Sequence, residues 1–155
     1  MLFRSNGFAA GSAAAAVTAS NCATFSISAS AGYKVSLSSV SRFDYRRSST
    51  GPANGVMQYQ VGTNAFVSFV TNSYSSSSSS GGQLSAVDLS SIPALQNVGP
   101  GTNVTFRIVN YGGASGGNWY IFDYANSIAP DLALQGTVAS LSGPPAVAPT
   151  LSLAS

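Results

Sequence analysis

Apolar and polar residues alternate with a period of two through most of this chain, which predicts strands with one face turned to a core. Ala23, Phe25 and Ile27 interleave with Thr24 and Ser26. After an Ala31-Gly32 turn, Tyr33, Val35 and Leu37 interleave with Lys34, Ser36 and Ser38, and a second stretch runs from Val40 to Tyr45. Val56 to Val61 and Ala65 to Thr71 flank Gly62-Thr63-Asn64, a glycine-containing connection that predicts a hairpin. Gln83 to Leu89 reads as a short strand and Val104 to Val109 as the clearest one. Trp119 to Tyr124 and Leu132 to Val138 complete the set.

Breaker residues fall between these runs. Ser49 to Gly55, Pro93 to Gly101 and Gly112 to Gly117 are loops or turns, and the serine tract within Ser73 to Gly82 cannot bury apolar surface. About eight short strands divided by turn signals predict an all-β fold, an antiparallel sandwich of jelly-roll type without a substantial helix. Ala13 to Ala16 is too short to hold a helix alone. The organisation expected is a lead-in over residues 1–20, a sandwich over 21–140, and a Pro/Ala/Ser linker over 141–155.

Phe8 to Val17, with Arg4 ahead and Val17-Thr18-Ala19 behind, imitates a short signal peptide. Gly11 and Ser12 interrupt its apolar run, so the lead-in reading is preferred. Leu2-Phe3-Arg4-Ser5 is also the tetrapeptide encoded by one frame of a common sequencing-adapter end. The first five residues are therefore expected to be assembly sequence, with an export signal missing ahead of them.

Composition narrows the chemistry. Charged residues make up 6% of the chain, against roughly 25% in soluble domains. Hydroxyls and amides fill the polar positions instead, as on extracellular β-proteins. There is no histidine, and the four acids are Asp44, Asp88, Asp123 and Asp131. Triads built on imidazole are excluded, and no pair of aspartates has the spacing of a glycosidase. The formal net charge of +2 makes no basic stripe, so nucleic acid is not an expected partner. Cys22 stands alone, which excludes an intrachain disulfide and a thiolate metal site. No run is long enough for a membrane span.

Three groups carry candidate chemistry. Arg42, Asp44, Arg46 and Arg47 form the only charge cluster; on a strand Asp44 and Arg46 share one face and Arg47 lies opposite. Arginine forks suit carboxylates, so an anion or acidic-sugar site competes there with a surface ion pair near a strand end. Tyr111, Asn118, Tyr120 and Tyr124 flank the Gly112 to Gly117 turn, where rings stacking on a sugar, with Asn110 and Asn118 supplying hydrogen bonds, compete with a reading of the same aromatics as core and rim of the sandwich; Trp119 reads as core. Asp123 and Asp131 are the pair that a structural calcium would use, and no other cofactor is expected.

The string Phe43-Asp44-Tyr45-Arg46-Arg47-Ser48-Ser49-Thr50-Gly51-Pro52 is the most specific in the chain. With Ala31-Gly32-Tyr33 before it, Val104-Thr105-Phe106-Arg107-Ile108 after it, Tyr111-Gly112, and Trp119 followed by Asp123, it resembles a known class. That class is the bacterial extracellular β-sandwich repeats of surface proteins with PEP-CTERM-type sorting signals. The resemblance implies a secreted jelly-roll module, similar to carbohydrate-binding modules and not an enzyme. Three departures stand out. Arg42 looks like an extra residue between Ser41 and Phe43, which shifts the inward set unless a β-bulge absorbs it. Tyr120 to Leu132 is long for the final strand region, and no sorting signal follows residue 140. The function expected is a non-catalytic extracellular or cell-surface module with a structural or adhesive role. Binding of polysaccharide through Tyr111, Asn118, Tyr120, Tyr124 and Arg46 is the alternative, and an aspartate-dependent hydrolase comes third.

Overall fold

In the computed structural model, which describes residues 3–75, 77, 79–122, 124, 128–141, 145–146 and 150–153, the period-two runs become two antiparallel sheets. The strands are β1 (Phe3–Asn6), β2 (Cys22–Ser28), β3 (Tyr33–Arg47), β4 (Asn54–Val61), β5 (Val67–Ser73), β6 (Gly82–Gln83), β7 (Val87–Asp88), β8 (Asn103–Tyr111), β9 (Asn118–Ile121), β10 (Leu132–Ser140), β11 (Pro145–Ala146) and β12 (Thr150–Leu153). One sheet has the order β2-β8-β4-β5. The other runs β1-β9-β3-β10, with β11 and β12 on the far side of β10, and β6 and β7 on β3. The chain crosses between the layers after β1, β2, β3, β5, β7 and β8, so neither sheet is a simple meander.

The all-β sandwich is the expected fold, with more strand segments than about eight because short pieces add to the second sheet. The lead-in is not separate from it. Phe3–Asn6 pairs with β9, Phe8 joins the core, and a short helix α1 (Ala13–Thr18) packs on the outside of β8. Ser12 caps that helix by accepting from the Ala15 N–H at 3.2 Å, and Ala16 is fully buried beneath it. Tertiary burial supplies what four alanines lack in intrinsic nucleation. Nor does the terminal stretch run on as a free linker, since Pro145–Ala146 and Thr150–Leu153 both pair with β10.

The longest strand, β3, is bulged twice. Opposite β10, Ala133 pairs with Arg42 and Leu134 with Val40, so Ser41 is the extra residue. Gln135 then pairs with Ser39 and Gly136 with Leu37, which makes Ser38 the second. Both bulges let Leu37, Val40 and Phe43 point inward although they are spaced by three residues instead of two. The extra residue expected beside Arg42 is thus absorbed as a bulge.

Aromatic side chains fill the space between the sheets. Phe25 stacks on Phe106 with centroids 5.4 Å apart, and Phe43 meets Trp119 edge-on at 6.0 Å. Tyr74 contacts Tyr45 at 4.8 Å and Trp119 at 5.8 Å. Fully burying one such side chain contributes about 1.5–3 kcal/mol, which makes this cluster the main anchor of the sandwich. The Tyr74 hydroxyl donates to Asn110 Oδ1 at 2.8 Å, so its polar end is satisfied inside the core.

Burial pushes the Tyr74 phenol far above its ordinary value, and the neighbouring Tyr45 adds to the shift. The folded state keeps this proton where the unfolded chain releases it. Its contribution is therefore complete below about pH 10 and declines as pH rises further. Urea unfolding followed from about pH 8 to pH 11 is expected to show stability dropping above about pH 10, less steeply in Tyr74→Phe. Equal slopes in the two proteins would remove Tyr74 as the cause.

Candidate ligand face

The outer surface of the second sheet is built by cross-strand register. Tyr120 on β9 pairs with Arg4 on β1 at one side and with Arg46 on β3 at the other. The three side chains alternate with inward-facing Ser5, Trp119 and Arg47, so they form one outward row. Both guanidinium carbons lie 5.6 Å from the Tyr120 ring centroid, and that of Arg46 also lies 5.2 Å from Phe122. Each such cation–π contact is worth about 0.5–1 kcal/mol at a partly exposed site, enough to hold the guanidinium beside the rings. Asn118 stands in the next row, accepting from Arg4 Nε at 3.3 Å and Nη2 at 3.1 Å through its Oδ1.

Beside this row the charge cluster resolves into separate tasks. Asp44 is fully buried, not half of a surface pair. Its Oδ2 accepts from Arg42 Nε at 2.8 Å and Nη2 at 2.5 Å, its Oδ1 from Gln83 Nε2 at 2.8 Å. The Tyr124 backbone N–H adds a longer bond to Oδ2, at 3.4 Å, and the Asp44 backbone bridges β9 and β10 through Phe122 and Asp131. Arg47, on the opposite face, donates through Nε to the Tyr74 carbonyl at 2.8 Å and reaches the carbonyls of Ser48, Ser49 and Gly51 through Nη1. Arg46 alone of the three arginines has no hydrogen-bond acceptor or carboxylate among the described residues.

The most specific string of the sequence turns out to shape one end of the sandwich. Residues 48–52 lie against the Gly112 to Gly117 turn, with Ala114 N–H donating to the Thr50 carbonyl at 2.8 Å. The Asn118 N–H donates to Ser48 Oγ at 3.0 Å, and the Ser48 N–H to the Asn118 carbonyl at 3.1 Å. The two segments touch backbone to backbone: a Cβ at Gly117 would overlap the Thr50 carbonyl oxygen, and one at Gly113 would sit 2.8 Å from Gly51 C. Only glycine permits that approach.

The structure brings Asn118, Tyr120 and Arg46 together, with Tyr124 close by at 37% exposure. Tyr111 does not join them. It ends β8, two residues after Val109 on the outer side of the other sheet, so the core separates it from Tyr120. Phe122, which sequence reasoning did not single out, belongs to the face; its shared parity with Tyr120 and Tyr124 was the available signal. Of the calcium pair, Asp123 lies outside the described residues, and Asp131 is 1% exposed. Among the described residues no three acids, histidines or cysteines gather as a metal site. Asp88 is exposed and accepts from Ser90 Oγ at 2.7 Å and Ser90 N–H at 2.9 Å, which hold its carboxyl below the usual carboxylate range. Neither Asp44 nor Asp131 opens to solvent, so neither reaches a substrate in this arrangement.

A second concavity, of about 280 Å³, opens between the sheets where β2, β3 and β10 diverge. Its walls include Ile27, Tyr33, Val35, Leu37, Leu134 and Val138, and no charged side chain lines it. Its chemistry is that of an incompletely closed core. Among the described residues no helix is long and apolar enough to cross a membrane. Compared with known proteins, the chain matches no family model, no curated sequence and no solved structure.

Proposed function

We propose that this chain is a non-catalytic module of an extracellular or cell-surface protein, and that it adheres to polysaccharide through the Tyr120 face. One observation carries the reading: Tyr120 lies outward on β9 with Phe122 just past the strand's end, flanked by Asn118 and Arg46, instead of being folded into the core. Sugars offer apolar C–H faces ringed by hydroxyls, and a ring beside amide and guanidinium donors complements both features. Strands hold such groups with little entropy left to lose, which favours recognition over mere solvation. The low-charge surface and the burial of Asp44 and Asp131 suit a binding role better than proton transfer.

A glycan array tests it. The wild type is expected to retain a subset of polysaccharides, and Tyr120→Ala/Tyr124→Ala to lose about tenfold or more, as an aromatic hot spot does. An array on which the wild type retains nothing would sink the proposal.

A further inference from the structure

The destinations of the chain's five arginines single out one group. Arg42 is tied to Asp44, Arg47 to four loop carbonyls, and Arg107 to Gln58 Oε1 at 2.8 Å while lying over the Phe66 ring. Arg4 is tied to Asn118. Arg46 is held only by the rings of Tyr120 and Phe122, with no acceptor for its N–H donors among the described residues. The nearest acid along its own strand face, Asp44, already serves Arg42, Gln83 and the Tyr124 N–H.

We propose that the Tyr120 face selects acidic polysaccharides, with the Arg46 fork taking a sugar carboxylate or sulfate while Tyr120 stacks on the ring that bears it. The inference rests on the saccharide reading above and adds the class of sugar. A planar guanidinium matches two coplanar anionic oxygens, and one already immobilised against aromatic rings loses little freedom on pairing. Arg4, within the five residues expected to be assembly sequence, lies on the other side of Tyr120, and the proposal rests on Arg46 without it. Two cations neutralise too few phosphates to hold a nucleic acid at physiological salt, whereas a polyuronate repeats its carboxylate at every residue.

The test uses the full chain against polygalacturonate, a sulfated galactan, a neutral dextran and duplex DNA. Binding to polygalacturonate or to the sulfated galactan is expected, weakening about tenfold between about 20 mM and about 300 mM salt, as partly exposed ion pairs do. The polymer retained tells carboxylate from sulfate. Arg46→Gln is expected to weaken it about tenfold, and Arg46→Lys, which keeps the charge but loses the fork, by an intermediate factor. Arg46→Gln is expected to melt only about 2–8 °C below wild type, from the loss of its two cation–π contacts, and to stay folded at the assay temperature, so the loss of binding is not unfolding. Dextran bound as tightly as the acidic polymers, or Arg46→Gln binding like wild type, would overturn the selectivity and leave the saccharide reading standing. Equal retention of DNA would overturn it too, as a general polyanion effect. Retention of no polymer would overturn the acidic selectivity, and the glycan array then decides the saccharide reading by itself.

Discussion

Gly117→Ala is expected to lose about 3 kcal/mol or more, because the new methyl group would overlap backbone that has nowhere to go. The nearest atoms are the Thr50 carbonyl and, at 2.8 Å, Gly51 Cα, and no flexible side chain stands among them. Relieving the overlap means separating the Gly112 to Gly117 turn from residues 48–52, which breaks the Ala114–Thr50 and Asn118–Ser48 bonds as well. In a domain of this size each kcal/mol moves the melting temperature by about 2–4 °C, so a fall of about 6 °C or more is expected. Gly116, one residue earlier, has nothing within 4 Å of a Cβ. Gly116→Ala is expected to be neutral or to gain about 0.4–1 kcal/mol by restricting the unfolded chain. Calorimetry on the two variants decides it, and equal melting temperatures would show that the two segments are not interlocked.

The second large effect concerns Asp44. Asp44→Ala is expected to cost about 3 kcal/mol, the low end for breaking a buried ion pair, because the Arg42 side chain keeps 20% of its surface in water. The variant strands the Arg42 guanidinium and the Gln83 amide, and it takes away the acceptor for the Tyr124 N–H. Arg42→Met/Asp44→Leu is expected to recover most of that loss, since apolar residues of similar volume need no partners. Urea denaturation of the set measures this, and an Asp44→Ala as stable as wild type would place the carboxylate outside the fold's structural framework.

What the sequence disclosed follows the strength of its periodicity. Val104 to Val109 alternates without interruption and forms β8, and the Gly62-Thr63-Asn64 hairpin joins β4 to β5 as expected. By contrast β3 reads as two stretches because Ser38 and Ser41 each break the alternation, and the continuity across them is a matter of pairing with β10. The lead-in was illegible for another reason: Phe8 and Ala16 are buried by elements far away in the chain, so their local pattern carries no period. The candidate ligand face was half legible. Tyr120, Asn118 and Arg46 have the side chains for it, but the register that sets Arg46 opposite Tyr120 joins residues more than seventy apart in sequence. Tyr111 went astray through the same blindness, since nearness to the glycine turn says nothing about which layer a strand enters.

The bulge at Ser41 has a consequence for how such a surface changes over generations. Ser41 and Arg42 together oppose Ala133, so the outside of the sheet carries one residue more than the inside requires. Deleting Ser41 would restore strict alternation from Val40 to Phe43 and leave the interior untouched. Insertions and losses at that position therefore add or remove exterior polar groups, the Ser41 hydroxyl first, while Arg42 keeps its place beside the buried Asp44 and the same residues meet in the middle. The exterior is free to diverge in length and charge while the interior is inherited intact.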